Sequence, residues 1–276
     1  MYISSLWKHH DKMEAIMKNL KVLWTTMTLQ MKNSFVRPMF RFCLLANPLV
    51  NTILLYEMFI NSGQINFINY VILGAGLMGI WSCICFSSAG DINRERWYGT
   101  LSIIYTAPAD FRLVIIGKIL GNTILSLITF AVSFAAARLF FKGNFYAPQT
   151  YQFLISFISM ILSFVVIAVF LAYLLTLSRK TTLYMNLIEY PVILVCGFVF
   201  PVDILPNWVQ KISFSLPPTW AVKLLRMSVA GEVETSIFLD TFYKLVFITG
   251  IYVIIVILLY KIINKQVRKL GTLEMQ

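Results

Sequence analysis

Charge is what this chain lacks. Asp, Glu, Lys and Arg make up 13% of its 276 residues, about half the share of an ordinary soluble domain. Residues 58–90 contain none of the four, and neither do residues 119–137. Uncharged runs of that length belong in lipid, which excludes a soluble globular domain. Histidine is nearly absent too. His9 and His10 lie far along the sequence from the cysteines Cys43, Cys83, Cys85 and Cys196. All four cysteines sit in apolar runs, so no disulfide framework is indicated. Cys83-x-Cys85 then reads as two small buried side chains rather than half a metal site. Residues 1–34 are polar and basic without an apolar core, and no cleavable signal peptide is expected.

Catalytic motifs are missing as well. Gly117-Lys118 is followed by Ile119, and Arg112 stands where a P-loop needs its first glycine. No Ser or Thr follows the lysine to hold magnesium. H-E-x-x-H, G-x-S-x-G and clustered loop carboxylates are also absent. Bond-making chemistry has little to stand on, and any ATP consumed must be hydrolysed on another chain.

What the chain has is apolar surface, 59% hydrophobic residues with a mean hydropathy of +0.77. The expected fold class is an all-α polytopic membrane protein. Six segments approach the ~20 residues that a bilayer requires: 36–60, 68–89, 113–138, 151–177, 182–200 and 242–262. The net charge is +11. In a membrane protein such an excess marks cytosolic loops and anionic lipid, so membrane lipids are expected partners and nucleic acid is not. Lys and Arg collect in the N-terminal segment, in 90–112 (Arg94, Arg96, Arg112), at Arg179-Lys180 and in the tail (Lys265, Arg268, Lys269). These regions alternate so as to share one face, with both termini inside a cell membrane. The absence of Asn-x-Ser/Thr sites and the richness in Ile, Phe, Asn and Lys suit a bacterial inner membrane.

Two further segments stand out. In 11–32, Met13, Met17, Leu20, Trp24, Met27 and Met31 recur at helical spacing, with Lys12, Lys18, Lys21 and Lys32 off that face. The pattern predicts a basic amphipathic helix in the membrane interface, within an N-terminal region of residues 1–34. Residues 35–276 form the membrane domain. Within it, 201–241 carries Pro201, Leu205, Pro206, Trp208, Pro217 and Pro218 among apolar pieces too short to span. Such pieces predict short re-entrant helices over about 201–225, covered by protein or lining a wet cavity.

Between the second and third spans lies a charged island, Asp91 to Thr100, with the run Glu95-Arg96-Trp97-Tyr98-Gly99-Thr100-Leu101, then Ala107-Pro108 and Gly117-Lys118. It resembles the "E-x-x-x-G-T-L … (A/S)-P … G-K" pattern of ABC-2 type transporter permeases. Phe200-Pro201 … Leu205-Pro206-Asn207-Trp208 … Leu216-Pro217-Pro218-Thr219 is similar to the same family's "P … L-P-x-W … P" stretch before the last span. The resemblance implies an exporter permease that works with separate ABC ATPase subunits and with a second copy or paralogue of itself. On that resemblance it would bind no cofactor of its own, and ATP and Mg would sit on the ATPase. Residues 90–108 would be the coupling helix, with Asp91, Arg94, Glu95 and Arg96 contacting the ATPase, Gly99 making the turn and Thr100 capping the residues after it. Pro201, Leu205, Pro206, Trp208, Pro217 and Pro218 would form an outer gate. A membrane scaffold or sensor that uses the same coupling without cargo is the alternative, and a lipid-modifying enzyme a third.

The spans suggest a path. Phe42, Leu45, Asn47, Thr52 and Tyr56 on the first, with Met185, Val192 and Phe198 on the fifth, would line an apolar seam between protomers. Such a seam suits a drug, a hydrophobic or antimicrobial peptide, or a lipid-like cargo. Arg41 and Glu189 lie at depths differing by only ~3 Å, and an ion pair across spans or across the dimer seam is expected. Glu57 and Arg138 lie near span ends, where snorkelling accounts for them.

Overall fold

Backbone groups in lipid must be satisfied within the chain, and this chain does so with helices. The computed structural model describes residues 2–61, 67–107, 109–142, 148–176, 181–231 and 234–270, and these are helices joined by turns and short irregular links, with no strand among them. The order is α1 (Tyr2–Val36), α2 (Pro38–Phe59), α3 (Phe67–Trp97), α4 (Thr100–Thr106), α5 (Phe111–Phe141), α6 (Thr150–Thr176), α7 (Thr181–Val195), α8 (Asn207–Phe214), α9 (Pro217–Ala230) and α10 (Thr235–Leu270). Loops 177–180 and 143–147, Pro108, and the side chains of Arg96, Met185, Lys265, Arg268 and Lys269 lie outside the described residues.

Local chemistry sets the breaks. Arg37 precedes Pro38 and is forced extended, at φ −75° and ψ 126°, which separates α1 from α2. Asp110 caps α5 by accepting a hydrogen bond from the Arg112 amide at 2.9 Å. The Arg112 side chain, and after it that backbone bond, hold the Asp110 carboxyl below its ordinary range against the opposing effect of burial. Gly197, at φ 77°, stops the chain just after α7.

Five helices are long and apolar enough to cross a membrane: Pro38–Phe59, Phe67–Cys85, Phe111–Phe141, Thr150–Leu175 and Thr235–Ile263. The expected six spans are therefore not all present as spanning helices. α7 has 15 residues, about 22 Å of helix, against a hydrocarbon core of ~30 Å. The rest of the expected segment, 196–200, is irregular but enclosed by protein: Cys196 and Phe198 have no exposed surface. α10 starts earlier than expected, at Thr235 rather than near 242.

α3 is the enclosed centre, packed against α2, α5, α6 and α7. Trp81 on α3 meets Phe164 of α6 edge-on at 5.9 Å and Phe198 at 6.1 Å, while Phe164 and Phe198 stack at 5.6 Å. The Trp81 indole N–H donates to the Glu189 carbonyl at 3.2 Å, tying α3 to α7. In lipid such packing, rather than release of water, holds helices together.

The second half of α1 is part of this bundle. Met27, Gln30 and Ser34 are buried, whereas Met13, Met17, Leu20 and Trp24 are all more than half exposed. One apolar face thus changes partner midway: its first half is uncovered within the protomer and its second half lies on α5. Close approach is permitted by Gly121, whose missing Cβ would come within 2.6 Å of the Met27 carbonyl oxygen.

Candidate functional site

The charged island does not begin as a loop. α3 runs on through it to Trp97, because nothing from Asp91 to Trp97 breaks a helix. Gly99 then takes the left-handed conformation, φ 66° and ψ 12°, and α4 starts at Thr100. α4 is a short helix packed against α3 and α5. Gly99→Ala should cost about 1 kcal/mol from that left-handed backbone alone, read as a lower unfolding midpoint.

Two polar clusters hold this tip. The first surrounds Asp91, which is 4% exposed. Its Oδ1 accepts from Arg37 Nη1 at 2.8 Å and from the Arg94 guanidinium. Its Oδ2 accepts from Gln30 Nε2 at 2.6 Å and from Asn122 Nδ2 at 2.9 Å. Gln30 also donates to Ser34 Oγ at 2.9 Å, and Ser34 donates to Asn122 Oδ1 at 2.6 Å. One carboxylate thus ties the end of α1 and the α1–α2 hinge to α3 and α5. Burying the charge is tolerable because cations and amide donors meet both of its oxygens.

Glu95 anchors the second cluster. Its carboxylate accepts from Lys118 on α5 and from the Thr100 hydroxyl at the start of α4. Burial pushes the Glu95 carboxyl up, but the bonds from Lys118 and Thr100 and the charges of Lys118 and Arg94 outweigh it and hold the group below its ordinary range. A group lowered in the fold stabilises the fold above its unfolded value, ~4.3, and that stabilisation is lost only as pH falls through the lower folded value. Hydrogen exchange over 100–106 should therefore stay slow on acidification from pH 7 to about 5.

The residues expected to touch a partner are thus mostly engaged inside the chain. Asp91, Arg94, Glu95 and Thr100 all have partners in α1, α3, α4 or α5. Arg96 lies on α3 with its side chain outside the described residues. Among the described residues the tip exposes three large, mainly apolar side chains: Trp97 is 83% exposed, Tyr98 73% and Ile103 65%. Sequence reading passed over Gln30, Ser34, Arg37, Lys118 and Asn122 as members of these clusters. Asn122 inside a charge-free run, and Gln30 and Ser34 one turn apart, were the available signals.

At the other end of the bundle, about 40 Å along α3, the Pro-rich segment contains the short helices α8 and α9. Pro201 and Leu205 flank a 3-10 turn, Val202–Ile204. Pro206 precedes α8, Trp208 is 69% exposed, and Pro217 and Pro218 begin α9 in buried positions. The Trp220 indole donates to the Phe214 carbonyl at 2.8 Å, and Thr219 donates to the Ser213 carbonyl at 2.7 Å, locking α9 onto α8.

The expected path residues do not share one surface. Phe42 and Leu45 are exposed, and Asn47 is half-buried beside Asn51. Thr52 is buried and donates to the Pro48 carbonyl. Tyr56 stacks on Phe141. Val192 packs against the core, and Phe198 lies within it. Met185 has its side chain outside the described residues. Among the described residues no ion pair joins Arg41 to Glu189: Arg41 is exposed, and Glu189 takes a hydrogen bond from Ser82. Glu189 is the closer to the core because α7 lies on α3, whereas Arg41 projects from the open face of α2.

A helical bundle with several apolar spans and a clamped polar end defines a multi-pass membrane protein. Residues 20–229 match the family model described as ABC-2 type transporter, and the chain belongs to that family. It is accordingly a membrane permease of the ABC transporter class, a transport subunit without catalysis of its own. A search of curated proteins gives no match.

Proposed function

We propose that this chain is the permease half of an ATP-driven exporter and that a separate ATPase docks on the tip formed by Trp97, Tyr98 and Ile103. The observation that carries this is the pairing of an exposed apolar tip with two internal clamps. An exposed aromatic cluster at the end of a rigid element suits docking into a groove. Glu95 passes force from α4 to Lys118 and α5, and Asp91 passes it from α3 to α1 and the α1–α2 hinge. ATP and Mg belong to the partner. In this reading Asp91, Glu95 and Arg94 position the tip, and docking falls to its apolar side chains.

The tip lies on the cytosolic side with both termini. α7 and the enclosed irregular segment 196–200 together make a sixth crossing, as an even number requires. Two copies, or this chain and a paralogue, enclose the path, and Phe42 and Leu45 on the open face of α2 are its best-placed residues. Segments 201–206 and 207–220 gate its outer end. The cargo is hydrophobic or amphipathic: a drug, a hydrophobic peptide or a lipid-like molecule. The test is ATP hydrolysis by the purified permease–ATPase complex in proteoliposomes, with and without such amphiphiles. Stimulation accompanied by cargo movement supports export. Hydrolysis that ignores every cargo, with none moved, supports a scaffold or sensor instead.

A further inference from the structure

A buried charge at the end opposite the tip has too few partners. Arg226 on α9 is 8% exposed. Its Nη2 donates to the Phe198 carbonyl at 2.9 Å, and the guanidinium carbon lies 5.3 Å from the centre of the Tyr70 ring. Nε and Nη1 have no hydrogen-bond partner. Among the described residues no carboxylate pairs with it. A guanidinium cannot shed its proton to escape this cost. Its neighbours meet part of its hydrogen-bonding capacity, and no group among the described residues compensates its charge.

Arg226 lines a cavity of about 200 Å³ between the end of α7, the 3-10 turn and α9. Tyr70, Gly197 and Thr219 form part of its wall, and the exposed residues Lys223 and Asp203 also line it. Water, at ~30 Å³ per molecule, could fill this space and satisfy hydrogen bonds, but it brings no negative charge. We infer that the cavity binds a phosphate-type oxyanion, carried by a lipid headgroup or free in solution, with Arg226 as its buried anchor and Lys223 as a second cation. An oxyanion in the cavity would bring the missing negative charge to the Arg226 guanidinium and can accept from the Lys223 ammonium as well. Asp203 is the competing anion at the same opening, and it forms no ion pair with either cation among the described residues. The site stands apart from the tip and does not depend on how the tip is used.

The test uses the full chain in an uncharged detergent and in nanodiscs. Inorganic phosphate is titrated against thermal unfolding at matched ionic strength. In parallel, retention of phosphatidylglycerol is compared with that of a phosphate-free glycolipid by native mass spectrometry. Saturable stabilisation by inorganic phosphate, weakened at least about tenfold in Arg226→Gln, assigns the site to a free anion; losing one charge-assisted contact predicts that size. Selective retention of phosphatidylglycerol alone, lost in Arg226→Gln, assigns it to a headgroup. In either case Lys223→Gln should weaken binding and Asp203→Asn should strengthen it. No binding of either probe, or equal binding in wild type and Arg226→Gln, overturns the site. Should Arg226→Gln not fold, unchanged binding in both Lys223→Gln and Asp203→Asn overturns it instead.

Discussion

Asp91→Ala should destabilise the bundle by about 3–5 kcal/mol, the usual cost of breaking a buried ion pair from one side. The carboxylate accepts from Arg37, Arg94, Gln30 and Asn122, and every one of these donors loses a partner when it goes. Arg37 and Arg94 are only partly exposed, so water recovers part of the loss at each, and little at Gln30 and Asn122, which are 4% and 1% exposed. For a chain of this size the loss corresponds to a midpoint lowered by roughly 10 °C. Asp91→Asn should fall between wild type and Ala, since one oxygen still accepts while the new amide faces other donors. Arg94→Ala should cost far less, because the other three donors remain. Thermal unfolding of the three variants in detergent gives the order. Equal midpoints for wild type and Asp91→Ala would mean that the carboxylate does not hold this junction.

Gly121→Val should separate α1 from α5. A Cβ at 121 would come within 2.6 Å of the Met27 carbonyl oxygen, and the obstacle is backbone that cannot rotate away. Even Gly121→Ala forces the helices apart, and valine adds two methyls to the same clash. Overpacking of this kind costs about 1–3 kcal/mol. The larger consequence is positional, because Gln30 and Ser34 stand one and two turns beyond Met27 and would be drawn from Asp91 and Asn122. Faster hydrogen exchange over 23–36 is the expected readout. Gly250→Ala is the control: nothing lies within 4 Å of its Cβ position, so the gain in helix propensity should leave it neutral or slightly stabilised. Unchanged exchange in Gly121→Val would show that α1 is not seated on α5.

These two sites also show what could be read from the sequence. The runs 58–90 and 119–137 identified a membrane protein, since no soluble fold hides that much uncharged chain. Glu95, Gly99, Thr100 and Lys118 were visible as a spaced motif, and the family followed from it. The motif's chemistry was not visible. Spacing alone does not reveal that Glu95 turns inward to Lys118, 23 positions later, rather than outward to a partner. The burial of Asp91 was not visible for the same reason: a charge at a span end is usually solvated, and the approach of α1 helps to bury it. That approach depends on Gly121, which in sequence is one small residue among many. The fifth span was counted from apolarity, and Gly197 and Pro201 shortened its helix. Arg226 passed as one charge in a scattered outer segment until its burial singled it out.

The most direct measurement is co-purification of an ATPase with this chain from its native membrane, comparing wild type, Trp97→Ala/Ile103→Asp and Glu95→Gln. The first variant alters side chains that are exposed and tie no helices together, so it should fold normally and lose the ATPase. Glu95→Gln keeps the apolar tip and weakens its link to α5. It should keep the ATPase while the coupling of hydrolysis to cargo falls. An ATPase that stays bound to Trp97→Ala/Ile103→Asp, or that never accompanies the wild type, would contradict docking at this tip.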